Sequence, residues 1–105
     1  MASYATIRFN FAQAKQQAQR LENIAQEMRN TANQNFEQAL SELSAGWSGE
    51  CATQYIRKAQ KVKEDILTTA KDLDAVAASI RKVAQRIYNA EMEAKRLAEE
   101  IARKA

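Results

Sequence analysis

The chain has 105 residues, 46% of them apolar and 28% charged, with no histidine, no proline, two glycines and one cysteine, which predicts one small helical domain. Lacking a histidine base, a glycine-rich phosphate loop and a cysteine pair, the sequence argues against an enzyme and against a cofactor or metal site (cofactors none, metal none). The net charge of +3 comes from 16 basic and 13 acidic residues interleaved as in Lys63-Glu64-Asp65, a solvated surface and not a nucleic-acid stripe.

Residues 4–9 read as a short extended lead in which Ile7 and Phe9 alternate, and the first ten residues lack the apolar run of a secretory signal. No stretch approaches the roughly eighteen apolar residues of a membrane span, so any export is expected to use another route. Asn10 followed by Gln13 resembles a capping box, which predicts a first helix over about 10–43. Its apolar positions are Ala14, Ala18, Leu21, Ala25, Met28, Ala32, Phe36, Ala39 or Leu40, and Leu43. They recur at spacings of four and three, with one extra four-step between Ala32 and Phe36. The exposed faces of this helix are rich in Gln and Asn rather than charge.

Residues 44–49, Ser-Ala-Gly-Trp-Ser-Gly, form the one short polar gap. Both glycines lie in it, around the only tryptophan, Trp47. A hairpin tip presenting an aromatic ring is the natural reading. Trp47 either closes the hairpin end against Leu43 and the start of the second helix or stays partly exposed for a partner, and the two roles are compatible. Cys51, just beyond, reads as a small packed hydrophobe rather than a reactive thiol.

The second helix is expected over about 50–104. From Ala59 onward every seventh residue is apolar (Ile66, Leu73, Ile80, Ile87, Ala94, Ile101), a second column holds Val62, Thr69, Val76, Val83, Ala90 and Leu97, and a third holds Ala70, Ala77, Ala84 and Ala98. Three apolar columns out of seven exceed what a two-stranded coiled coil needs, so a single 1–105 hairpin domain is expected to dimerise into a four-helix bundle. The seam of that bundle is expected at Leu21, Met28, Ile66, Leu73, Val76, Ile80 and Val83. At 1.5 Å per residue the second helix reaches roughly 80 Å against roughly 50 Å for the first, so about twenty C-terminal residues are expected to overhang, whether straight, bent near Tyr88-Asn89 or clasping a partner.

A chain of this length with an Ile-x-Phe lead, two helices and a central Trp-x-Gly (Trp47-Ser48-Gly49) resembles the WXG (ESAT-six-like) family over essentially its whole length. The resemblance implies an antiparallel hairpin that pairs as a homodimer or heterodimer and is exported by a type VII (ESX) secretion system through its ATPase. It implies a role as effector or as companion of a larger toxin, such as one with an LXG-type N-terminal domain. The implied route is cytoplasmic first and extracellular afterwards, without a cleaved signal peptide. In the family the tip motif is complemented by a C-terminal Tyr-x-x-x-Asp/Glu. Here Tyr88 is followed by Met92 at the fourth position and by Glu91 at the third; both spacings lie on roughly one helix face, so either Tyr88 and Glu91 present a surface similar to that motif or Tyr88 only flanks the Ile87 column. The alternative is a non-secreted helical scaffold or adaptor that binds a partner helix.

Overall fold

In the computed structural model, which describes residues 2–105, the chain is an all-α hairpin. Helix α1 (Tyr4–Asn30), a π-helical turn (Thr31–Phe36) and α2 (Glu37–Gly46) follow one another directly, and α3 (Glu50–Lys104) returns after residues 47–49. Among the described residues there is no strand, and no helix is long and apolar enough to cross a membrane.

The first helix starts at Tyr4, so the extended lead and the Asn10 cap are both corrected. Ser3 is the cap. Its Oγ accepts the Thr6 backbone N–H at 3.1 Å, which satisfies one of the orphan donors of a helix start, and its carbonyl accepts the Ile7 N–H at 3.0 Å as the first bond of the helix. The alternation of Ile7 and Phe9 is that of two helix faces, for Ile7 is 2% exposed and Phe9 60%.

The π turn coincides with the extra four-step in the apolar pattern. Continuing the four-three rhythm of Met28 and Ala32 would bring polar Asn35 and Glu42 to the inner face. The apolar residues instead come one position late, at Phe36, Leu40 and Leu43. A π-helical turn closes i→i+5 hydrogen bonds and so takes up one additional residue. Ala32 inside the turn and Leu40 after it are both buried.

The chain divides into two compact units. Unit 1 combines residues up to 20 with 76–105. Its buried residues are Ile7, Ala18, Ala77 and Ala84, and its two segments run antiparallel. The Tyr4 hydroxyl donates to Glu99 at 2.9 Å, the Phe11 and Tyr88 rings stack with centroids 4.5 Å apart, and Arg81 donates to Gln19 at 3.3 Å. Because α1 begins early, Tyr4 reaches Glu99 and most of the expected overhang is paired; α3 passes through Tyr88-Asn89 without interruption. The carboxylate of Glu99 accepts the hydrogen bond from the Tyr4 hydroxyl and so holds the phenol above its ordinary range, and the Arg96 guanidinium bonded to Glu93 holds the Glu93 carboxyl below its own.

Unit 2, residues 21–75, contains the turn and buries Ala25, Ala32, Leu40, Ala52 and Ala70. Arg29 pairs with Asp74 at 2.6 Å and Lys63 with Glu37 at 2.9 Å, both across the two helices. In each unit the contact between helices is therefore a column of small side chains, Ala70 in unit 2 and Ala77 and Ala84 in unit 1, which lets the backbones approach closely. Ala98 of the same column is exposed. The Ile66, Leu73 and Ile80 column is only half-buried, and Val62, Val76 and Val83 are exposed.

Deleting Gln34, exposed inside the π turn, restores an unbroken four-three spacing from Met28 to Leu43 and is expected to leave the thermal midpoint unchanged or higher. Deleting exposed Gln17 from regular helix rotates the preceding residues by about 100° and is expected to lower it sharply. Circular dichroism melts of the two deletions check this.

Candidate partner-recognition site

The turn is shorter than expected, because Ser44, Ala45 and Gly46 complete α2 and only Trp47, Ser48 and Gly49 leave the helix. The two glycines are not equivalent. Gly46 is helical, whereas Gly49 has φ +105°, in the region that side chains rarely adopt. Its carbonyl accepts both the backbone N–H of Thr53 at 3.1 Å and the Thr53 hydroxyl at 3.0 Å, so Gly49 begins α3. Glu50 in the first turn adds a favourable charge at the helix N-terminus.

Trp47 lies between these two helix ends in extended backbone, φ −136° and ψ 129°. Its ring meets Tyr55, one and a half turns into α3, at a centroid distance of 5.7 Å and a tilt of 56°. It remains 42% exposed and Tyr55 56%. The tip thus carries two aromatic rings that shield one another and are still open to solvent. Tyr55 was not singled out from the sequence, although extending the Val62 column back by seven reaches it. Beside Tyr55 an open groove of about 300 Å³ is lined by Phe36, Lys58, Ala59 and Val62. Cys51 is exposed, which corrects its reading as a packed hydrophobe: it points away from the column through Ala52 that unit 2 buries.

Tyr88 and Glu91 lie together in unit 1. They line one groove of about 200 Å³ with Ile7, Asn10, Phe11, Ala14, Ala84 and Ile87. The Tyr88 ring forms its back wall by stacking on Phe11, whose other contact is the Lys15 ammonium 4.3 Å from the ring centre. Glu91 is half-buried at this groove. Phe11 was legible as the residue seven before Ala18, in the column Tyr4, Phe11, Ala18, Ala25 and Ala32.

Of the residues expected in a dimer seam, Leu21, Met28, Ile66 and Leu73 are half-buried in unit 2, and Ile80 is half-buried in unit 1 with Val76 and Val83 exposed. Among the described residues, no group of three His, Cys, Asp or Glu side chains is placed to hold a metal ion. Comparisons with protein-family models, characterised proteins and solved structures find no match to this chain.

Tyr88→Ala is expected to lower stability by about 1–3 kcal/mol through loss of the stacked ring. Tyr88→Phe, which keeps it, is expected to stay within about 0.5 kcal/mol of the parent in urea unfolding. At the tip, Gly46→Ala is expected to stabilise by roughly 0.5–1 kcal/mol because a helical glycine is replaced where a methyl meets no neighbour, and Gly49→Ala to destabilise because its φ is positive. The same unfolding measurement reads all four variants.

Proposed function

We propose that this protein is a WXG-type helical hairpin handled by a type VII (ESX) secretion system, either as an exported substrate or as the companion of a larger toxin with a related helical N-terminal domain. The observation that carries the reading is the tip. A hairpin needs a turn, but it does not need a half-exposed tryptophan held in extended backbone and followed two residues later by a glycine that the backbone requires. Trp47 and Gly49 then act as one unit, the glycine starting α3 and the ring offering an apolar surface with a polar N–H to the secretion machinery or its cargo. Tyr88 and Glu91 supply the second element, on the groove in unit 1. The protein is cytoplasmic until export and extracellular afterwards, and it travels paired with a second helical hairpin.

A non-secreted adaptor is the second reading, favoured by the exposed Val62 in unit 2 and by Val76 and Val83 in unit 1, since such a column suits any partner helix.

The decisive test is export of the tagged chain from a host with an active type VII system. The parent is expected in the medium and absent from the medium of an ATPase-deficient host. Trp47→Ala is expected to lower export at least tenfold with unchanged helicity and unchanged size in solution, since its ring lies outside the buried columns. ATPase-independent release, or no export of the parent with its genetic neighbours supplied, overturns the secretion reading in favour of the adaptor. Loss of helicity in Trp47→Ala makes the ring a structural closure.

A further inference from the structure

Charge is not shared evenly between the two units. Unit 1 carries ten Lys and Arg side chains against four Glu, and unit 2 carries six against nine. The four acids of unit 1 all lie on α3, where Arg96 holds Glu93 at 2.6 Å, the Tyr4 hydroxyl holds Glu99 at 2.9 Å and Lys104 holds Glu100 at 3.2 Å, while Glu91 lines the groove with Tyr88. Residues 2–20 contain no acid. Of the three cations there, Lys15 lies over the Phe11 ring, whereas Arg8 and Arg20 are exposed and have no acidic partner among the described residues.

The same stretch exposes an aromatic ring. Phe9 lies nine residues, or two and a half turns, before Ala18, so it stands on the side of α1 opposite the buried column and is 60% exposed. Arg8 flanks the ring, Ala5 and Ala12 lie about a turn to either side, Gln13 and Gln16 follow, and Arg20 returns to this face three turns on; all are exposed. The face therefore presents one ring and two unneutralised guanidinium groups about 18 Å apart along the axis, with neutral amides between them. Neither the hairpin contact nor the open columns of α3 use it.

This arrangement selects an acidic helix. A guanidinium binds a carboxylate through two parallel N–H···O bonds, and aromatic residues and Arg are the types that concentrate in protein interfaces. The small side chains of Ala5 and Ala12 leave the Phe9 ring standing clear, and a facing helix of about three turns spans the distance between the arginines. A bilayer surface is a poorer match, because an interfacial helix buries a continuous apolar face and Phe9 is the one large apolar side chain on this one. The same face of a second copy is cationic as well and repels it. The basic surplus of unit 1 speeds the encounter with an acidic partner.

We propose that the face of α1 formed by Arg8, Phe9 and Arg20 docks an acidic helical segment of a different protein, whose apolar side chains cover Phe9 and whose carboxylates meet the two arginines. This contact goes beyond the export reading and does not depend on it, since it leaves Trp47, Tyr88 and the α3 columns free.

The test titrates the full chain into a labelled, designed helical peptide with leucines at heptad spacing flanked by glutamates, followed by fluorescence anisotropy. The parent is expected to bind in a manner that weakens with added salt, and the same peptide with Gln for every Glu is expected to bind at least tenfold more weakly. Arg8→Glu combined with Arg20→Glu, and Phe9→Ser by itself, are each expected to lower the affinity about tenfold or more with unchanged circular dichroism, because all three side chains are exposed. Val76→Glu combined with Val83→Glu, on the open α3 columns, is expected to leave it unchanged. No binding of the acidic peptide, equal binding of the neutral one, or indifference to the arginine changes overturns the proposal. Loss of binding in the α3 variant instead places the peptide on that helix and overturns it too. Binding to phosphatidylglycerol vesicles that is abolished by the arginine changes, with no peptide binding, makes the occupant a membrane surface, and self-association abolished by them makes it a second copy. An exported chain that does not bind the peptide removes this inference only, and a binding chain that is not exported removes the secretion reading only.

Discussion

Everything in this protein follows from joining its helices through alanine. Seven of the nine buried residues among those described are alanines, and each contributes little more than a methyl group, about 0.8 kcal/mol when taken from water. Ordering the backbone costs about 1–2 kcal/mol per residue before helix hydrogen bonds are counted. The small column therefore brings the helices close without supplying most of the apolar burial that a stable fold of this size draws on. That burial is still held in reserve on α3, in the valine and isoleucine columns that the hairpin leaves open.

The ion pairs across each unit have a different role. Arg29 with Asp74 and Lys63 with Glu37 are partly exposed, so each adds little stability, but each is satisfied in only one alignment of the two helices. Tyr4 with Glu99 and Phe11 with Tyr88 do the same for unit 1. An alanine column alone fits equally well when slid by seven residues, and these side chains remove that freedom. The π turn belongs to the same problem, since without its extra residue the polar Asn35 and Glu42 rather than Phe36 and Leu43 would follow Ala32 on the inner face.

The tip combines constraint and exposure. Gly49 has to be glycine for its backbone angle, and Gly46 does not, although both stand in the same short stretch. Trp47 is held by Tyr55 on one side and open on the other. An aromatic held in that way loses little side-chain freedom on meeting a partner, which is the property a recognition surface needs.

Periodicity and the glycine-flanked gap determined the two-helix hairpin, a break around Trp47, the extent of α3 and the extra step near Ala32, because each is a local or repeating property of the chain; that Ser44, Ala45 and Gly46 stay helical was not legible there. The Tyr4–Phe9 stretch misled because a two-residue alternation over so few residues is shared by strands and helices; the column from Tyr4 through Phe11 to Ala18 carried the better signal. Which of the three apolar columns joins the hairpin was a tertiary decision. Residues at seven-fold spacing are equivalent in sequence, and only side-chain size against the facing helix separates Ala77, which is buried, from Val76 beside it, which is not. The same holds for Cys51, exposed next to buried Ala52, and for Tyr88, whose ring is placed by Phe11 from the far end of the sequence. Spacing states which residues share a face; the facing helix states which face is inside.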